Sequence, residues 1–96
     1  MNIQILSVSV GAAQALRSKN QIAVLEHITN QDLAHQHLLL DHIGWGFLNN
    51  SKGVKRSNYK ERFFMKYPEA SASYGKYKQQ IDHIFEEVEK YFKHFE

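Results

Sequence analysis

The spacing of the C-terminal apolar residues constrains this chain more than any other feature. Ala70, Tyr74, Tyr77, Ile81, Ile84, Val88, Tyr91 and Phe95 recur at alternating intervals of four and three, and Phe85 and Phe92 widen the stripe. That is the period of one face of an α-helix. On a helical wheel Ile81, Ile84, Phe85, Val88, Tyr91, Phe92 and Phe95 fall within a sector of about 120°, leaving the charged residues from Asp82 to His94 on the opposite side. Pro68 suits a first helical turn, so the pattern predicts one helix over 69–95, about 40 Å long at 1.5 Å per residue. Ser71, Ser73 and Gly75 are weak helix formers and supply the alternative, a start near Lys76.

A helix of the full length has a consequence for assembly. A compact domain of 96 residues has a radius of gyration near 13 Å and a diameter of about 33 Å. The helix would overhang its own fold, and its apolar stripe would need a second chain. The expectation is a homodimer with Ile81, Ile84, Phe85, Val88, Tyr91, Phe92 and Phe95 as its seam; the alternative is that the same stripe packs as the core of a monomer.

Pairs with capping-box spacing mark further helices: Ser18 with Gln21, Thr29 with Asp32, and Asn58 with Glu61. They predict helices over about 20–28, about 30–43 or a little longer, and about 59–66. Gly44 is expected to stop the second in the left-handed conformation, and Asn49 to Gly53 read as a loop. In the first ten residues Leu6, Val8 and Val10 alternate with Ser7 and Ser9 as in a strand, but no later segment repeats the alternation, so strand and helix both stay open there. The expected fold is mainly α, a single domain over 1–96 of four to five helices ending in a long amphipathic one.

Composition narrows the function. With no cysteine, disulfide scaffolds, thiolate zinc sites and cysteine nucleophiles are excluded, and a reducing compartment fits. Ala13-Gln14-Ala15 resembles a signal-peptidase site, yet no basic residue precedes the apolar stretch, and no run approaches the ~18 apolar residues of a membrane span. The expected location is the cytoplasm, with no membrane association. The net charge of +2 conceals an uneven layout. Residues 1–51 are nearly neutral, 52–78 carry eight basic residues against Glu61 and Glu69, and 79–96 carry Lys90 and Lys93 against five acids.

The basic middle is one candidate site. Lys52, Lys55, Arg56, Lys60, Arg62 and Lys66 could neutralise phosphates, and the interleaved Tyr59, Phe63 and Tyr67 could stack on unpaired bases. The i, i+4, i+8 spacing of those three rings is equally that of a buried stripe. A second candidate is Gly44-Trp45-Gly46-Phe47, where Trp45 and Phe47 would anchor a protein partner. The six histidines are a third. His37 and Asp41 stand one helical turn apart and could share a metal if another helix supplied a ligand, with His27, Glu26 and His83 as the choices. No HExxH or paired ExxH spacing supports such a site. Nucleophile elbows and phosphate-cradling glycine loops are missing, and Asp41-His42 and Asp82-His83 are adjacent, where helical side chains diverge. The expectation is a non-enzymatic binding or regulatory protein without a cofactor, acting through protein partners as a homodimer. The alternative is nucleic-acid binding through 52–66; a histidine metal site or an enzyme ranks below both.

Overall fold

A computed structural model of the chain describes residues 21–94. Among them are five helices and no strand: α1 (Gln21–Thr29), α2 (Leu33–Asn49), α3 (Tyr59–Lys66), α4 (Pro68–Ala72) and α5 (Lys78–His94). The N-terminal segment left open between strand and helix, and Ser18 of the first capping pair, lie outside the described residues. No helix among these residues is long and apolar enough to cross a membrane.

The stripes fold inward as their periods require. Ile28 from α1, Leu40, Ile43 and Phe47 from α2, Phe63 from α3, and Ile81, Ile84 and Val88 from α5 are buried together with Tyr67 and Ala70. Aromatic rings join the elements at edge-to-face angles: Phe63 meets Phe47 at 5.2 Å and Phe85 at 5.3 Å, separations at which such pairs attract beyond their buried area. Tyr59, Phe63 and Tyr67 are all buried, so the core reading of that stripe holds and base stacking by these rings does not.

Three boundaries differ from expectation. The 69–95 helix is two helices, interrupted where the weak helix formers Ser73 and Gly75 stand. Residues 73–77 instead form turns, with Tyr74 N–H donating to Ser71 O at 3.3 Å and Lys76 N–H to Ser73 O at 3.1 Å. The start near Lys76 is the closer reading. With 17 residues α5 is about 25 Å long and fits inside a body measuring 35 × 28 × 21 Å. The overhang that called for a second chain is gone. Ile81, Ile84, Phe85 and Val88, expected at a dimer seam, are buried in the chain's own core; Tyr91 and Phe92 are half-buried against Trp45 and Tyr59, and Phe95 lies outside the described residues.

Secondly, Gly44 does not end α2, which continues to Asn49. Carrying Gly44 and Gly46 costs about 1 kcal/mol each in helix propensity. Burying Ile43 and Phe47 on the same helix returns about 1.5–3 kcal/mol each, so the helix propagates. It stops where Asn50 turns its amide and its backbone N–H onto Gly46 O, at 2.8 and 3.1 Å, and the left-handed residue of the following loop is Gly53, with φ +76°.

Thirdly, the caps are displaced. Thr29 closes α1, its Oγ1 donating to Leu25 O at 2.8 Å, and Asp32 is the N-cap of α2, its Oδ1 accepting from His35 N–H at 3.0 Å. That N–H, with the His35 ring, holds the Asp32 carboxyl below its usual range. Asn58 precedes α3 but spends its side chain on the loop, accepting from Lys55 N–H at 2.7 Å. Gln21 and Glu69 cap each other's helices: Gln21 Oε1 accepts from Glu69 N–H at 3.0 Å, and Glu69 Oε2 from Gln21 N–H at 3.1 Å.

Candidate functional site

Helices α2 and α5 run in the same direction, and their partners rise together along the pair. Gln80 Nε2 donates to Gln36 Oε1 at 3.5 Å. The His37 and His83 rings then stack 4.2 Å apart and 7° from parallel. Asp41 Oδ1 meets His83 Nε2 at 2.7 Å. Trp45 Nε1 donates to Glu87 Oε1 at 3.2 Å, and the Trp45 and Tyr91 rings meet at 5.5 Å and 87°. The positions 37, 41 and 45 on α2, and 83, 87 and 91 on α5, each repeat at i, i+4, i+8, so the helical period lines them along one edge of the contact.

This edge gathers residues that the sequence singled out one at a time. Trp45 lies on it, 41% exposed. Phe47 does not: it is 1% exposed and packs on Phe63 and Tyr67. Two residues along a helix rotate the side chain by about 200°, which turns Trp45 outward and Phe47 into the core, so Phe47 is no partner anchor. His37 and Asp41 both turn to α5, and Asp41 pairs with His83 instead of sharing a ligand with His37. Among the described residues no group of three or more His, Asp or Glu is arranged to hold a metal ion. Glu87 carried no sequence signal, since its role depends on the register between two helices.

The basic segment has a different fate. Arg62 Nη2 donates to Lys52 O at 2.7 Å, and Lys66 Nζ donates to Asn50 O and Ser51 Oγ at 3.0 and 3.1 Å, so these two cations tie down the 50–53 loop. Arg56 lies 3.4 Å from Glu89. Lys60 sits over the Phe85 and Tyr59 rings at 5.7 and 6.0 Å from their centres. Lys52 and Lys55 are exposed on the loop.

Between α3 and α5 an open cleft of about 630 Å³ is floored by Tyr59 and Phe85 and rimmed by lysines and acids. Its polar groups are largely committed to one another. Tyr59 Oη donates to Glu89 at 2.6 Å, and burial, then that bond, pushes the phenol well above its usual pKa. Tyr74 Oη donates to Asp82, which Lys78 also meets at 2.5 Å. The Lys78 bond and then the Tyr74 bond hold the Asp82 carboxyl low, while the Asp82 bond raises both donors. Both phenols are therefore neutral donors at pH 7, fixing the position of α5 against its neighbours.

Searches with family models, among curated proteins and among solved structures find no match to this chain.

Proposed function

We propose that this domain is a non-catalytic protein-binding module whose contact surface is the α2–α5 edge centred on Trp45. One observation carries the reading: Trp45 keeps 41% of its surface in solvent while its indole is held by Glu87 and by the Tyr91 edge. An exposed tryptophan fixed before binding loses little conformational entropy on contact, and tryptophan is the residue type most enriched where interfaces draw their energy. The absence of cysteine suits a reducing compartment, and we place this activity in the cytoplasm.

The test is affinity capture from native cell extract, with and without nuclease, on immobilised wild type and Trp45→Ala. A protein retained by the wild type and lost by the variant is expected, while the variant still unfolds cooperatively with a midpoint lowered by only a few degrees, because Trp45 is not among the buried core residues. Equal capture by both refutes the reading. A second copy of the chain is one form the partner can take, and the mass in solution at several concentrations identifies it. Capture that disappears with nuclease and with Lys52→Ala/Lys55→Ala, whatever stands at position 45, supports phosphate contact by the 52–66 segment instead.

A further inference from the structure

We propose that the stacked rings of His37 and His83, together with Asp41, form an acid-sensitive latch on the α2–α5 contact, which stays shut with one proton on the two rings and is opened by a second. The latch itself rests on geometry; its consequence for binding rests on the protein-binding reading above. His83 Nε2 lies 2.7 Å from Asp41 Oδ1, and a carboxylate only accepts, so Nε2 carries a hydrogen and Nδ1 is the position open to a further proton. The His37 ring lies over this ring, their centres 4.2 Å apart and their planes 7° from parallel. One ring comes from α2 and the other from α5, so the stack exists only while the two helices stay together.

The two protons are not equivalent. The first, on His83 Nδ1, makes an imidazolium that Asp41 answers with a charge-assisted bond, and the His83 side chain is only 21% exposed. A second, on His37, sets two cations face to face 4.2 Å apart, with Asp41 already engaged, and like charges so close repel. Little else offsets them. The hollow of about 300 Å³ beside the stack is lined otherwise by glutamines, leucines and Glu86, and Glu86 is exposed, where solvent screens it. The nearby Glu87 is bonded to Trp45, Asp82 is bonded to Tyr74 and Lys78, and α1 contributes no residue to the hollow. Free histidines take up protons near pH 6.5, so the second proton is demanded in mild acid. The closed latch then binds one proton where the unfolded chain binds two, and falling pH favours the open or unfolded chain.

The test follows melting temperature from about pH 7.5 to about pH 5, a window in which ordinary carboxylates stay ionised. His37→Gln removes the like charge and keeps the Asp41–His83 pair; Asp41→Asn withdraws the countercharge. Across the window the wild type should lose about 4 °C or more relative to His37→Gln, and Asp41→Asn should lose more than the wild type. Titrating groups elsewhere are common to all three proteins and cancel in the differences. Nuclear magnetic resonance of the imidazole protons supplies a second readout: the His83 ring should titrate in two steps in the wild type, because each ring senses the proton on the other, and in one step in His37→Gln. A temperature difference between wild type and His37→Gln that is constant with pH, or independent single-step titration of both rings, overturns the proposal. Capture of a partner by the wild type should fall about threefold or more in mild acid as the closed fraction falls, and less in His37→Gln. If the latch titrates as described while capture ignores position 45, the latch stands and the protein-binding reading falls; if Trp45→Ala abolishes capture while the temperature difference stays constant, the reverse holds.

Discussion

Replacing Gly44 by alanine separates two accounts of α2 by the sign of its effect. Were Gly44 a left-handed stop, a Cβ there would cost about 1–2 kcal/mol. In the structure it is inside a helix, and a Cβ added to it would stand 3.6 Å from Ile84 Cγ2, 3.6 Å from Ile84 O and 3.8 Å from Glu87 Cβ. Those are ordinary van der Waals separations, so no neighbour must move. The helix gains about 0.8–1 kcal/mol in propensity, and the new contacts add a few tenths at about 0.1–0.2 kcal/mol per atom pair. Gly44→Ala should therefore stabilise the protein by about 1 kcal/mol, a rise in melting temperature of about 4–8 °C for a domain of this size. Thermal unfolding followed by circular dichroism, with a urea titration to verify an unchanged m-value, measures it. Gly53→Ala is the internal control of opposite sign, because φ +76° at Gly53 strains any other residue. A lower melting temperature for Gly44→Ala would refute the argument, showing either a left-handed residue 44 or an approach of α5 closer than described.

Three further outcomes follow from individual contacts. Tyr77 Oη is buried without a hydrogen-bond partner, and an unsatisfied hydroxyl costs about 1–3 kcal/mol, so Tyr77→Phe should raise stability by about 1 kcal/mol in urea unfolding; a fall of that size would mean that the hydroxyl is bonded. Gln21→Ala removes the acceptor of Glu69 N–H and should cost about 1–2 kcal/mol, with no loss at all counting against the reciprocal cap. For Asp82, whose carboxyl is held low in the fold, the contribution to stability is complete above the ordinary carboxyl value of about 3.9 and disappears as pH falls through the lowered one. With the side chain 34% exposed it is a surface interaction of up to about 1 kcal/mol. Asp82→Asn should accordingly be less stable than wild type at pH 7 and equal to it in strong acid, and a pH-independent difference would remove the electrostatic account.

The sequence reveals the helices to the extent that their signals are local. Tyr59–Lys66 matches its expected bounds because stripe and start lie within one short segment. The errors come where a local preference met a tertiary gain. Thr29 and Asp32 have the spacing of a box, but the chain uses Thr29 to finish one helix and Asp32 to begin the next, a choice settled by where Ile28 and Leu39 find the core. The break at 73–77 was visible in Ser71, Ser73 and Gly75; what the period alone conceals is that Tyr74 and Tyr77 keep the stripe's phase across a turn and so imitate a continuous helix.

The α2–α5 edge was illegible for a different reason, and Gly44 explains it. A helical wheel places His37, Asp41 and Trp45 near one side of α2, but it cannot say which residues of another helix stand opposite. That register comes from packing, and one close approach is at Gly44, where the missing side chain lets α2 settle against Ile84 and Glu87. Once position 44 stands beside 84 and 87, the helical repeat carries Asp41 to His83 and Trp45 to Glu87 and Tyr91. The glycine that the sequence marks as a helix stop is thus the point from which the edge is set out. An alanine fits that contact and should leave Trp45 on Glu87, whereas a larger residue must push α5 away, breaking the 3.2 Å bond even if the helices still fold. The geometry of this edge therefore depends on a residue that makes none of its side-chain contacts.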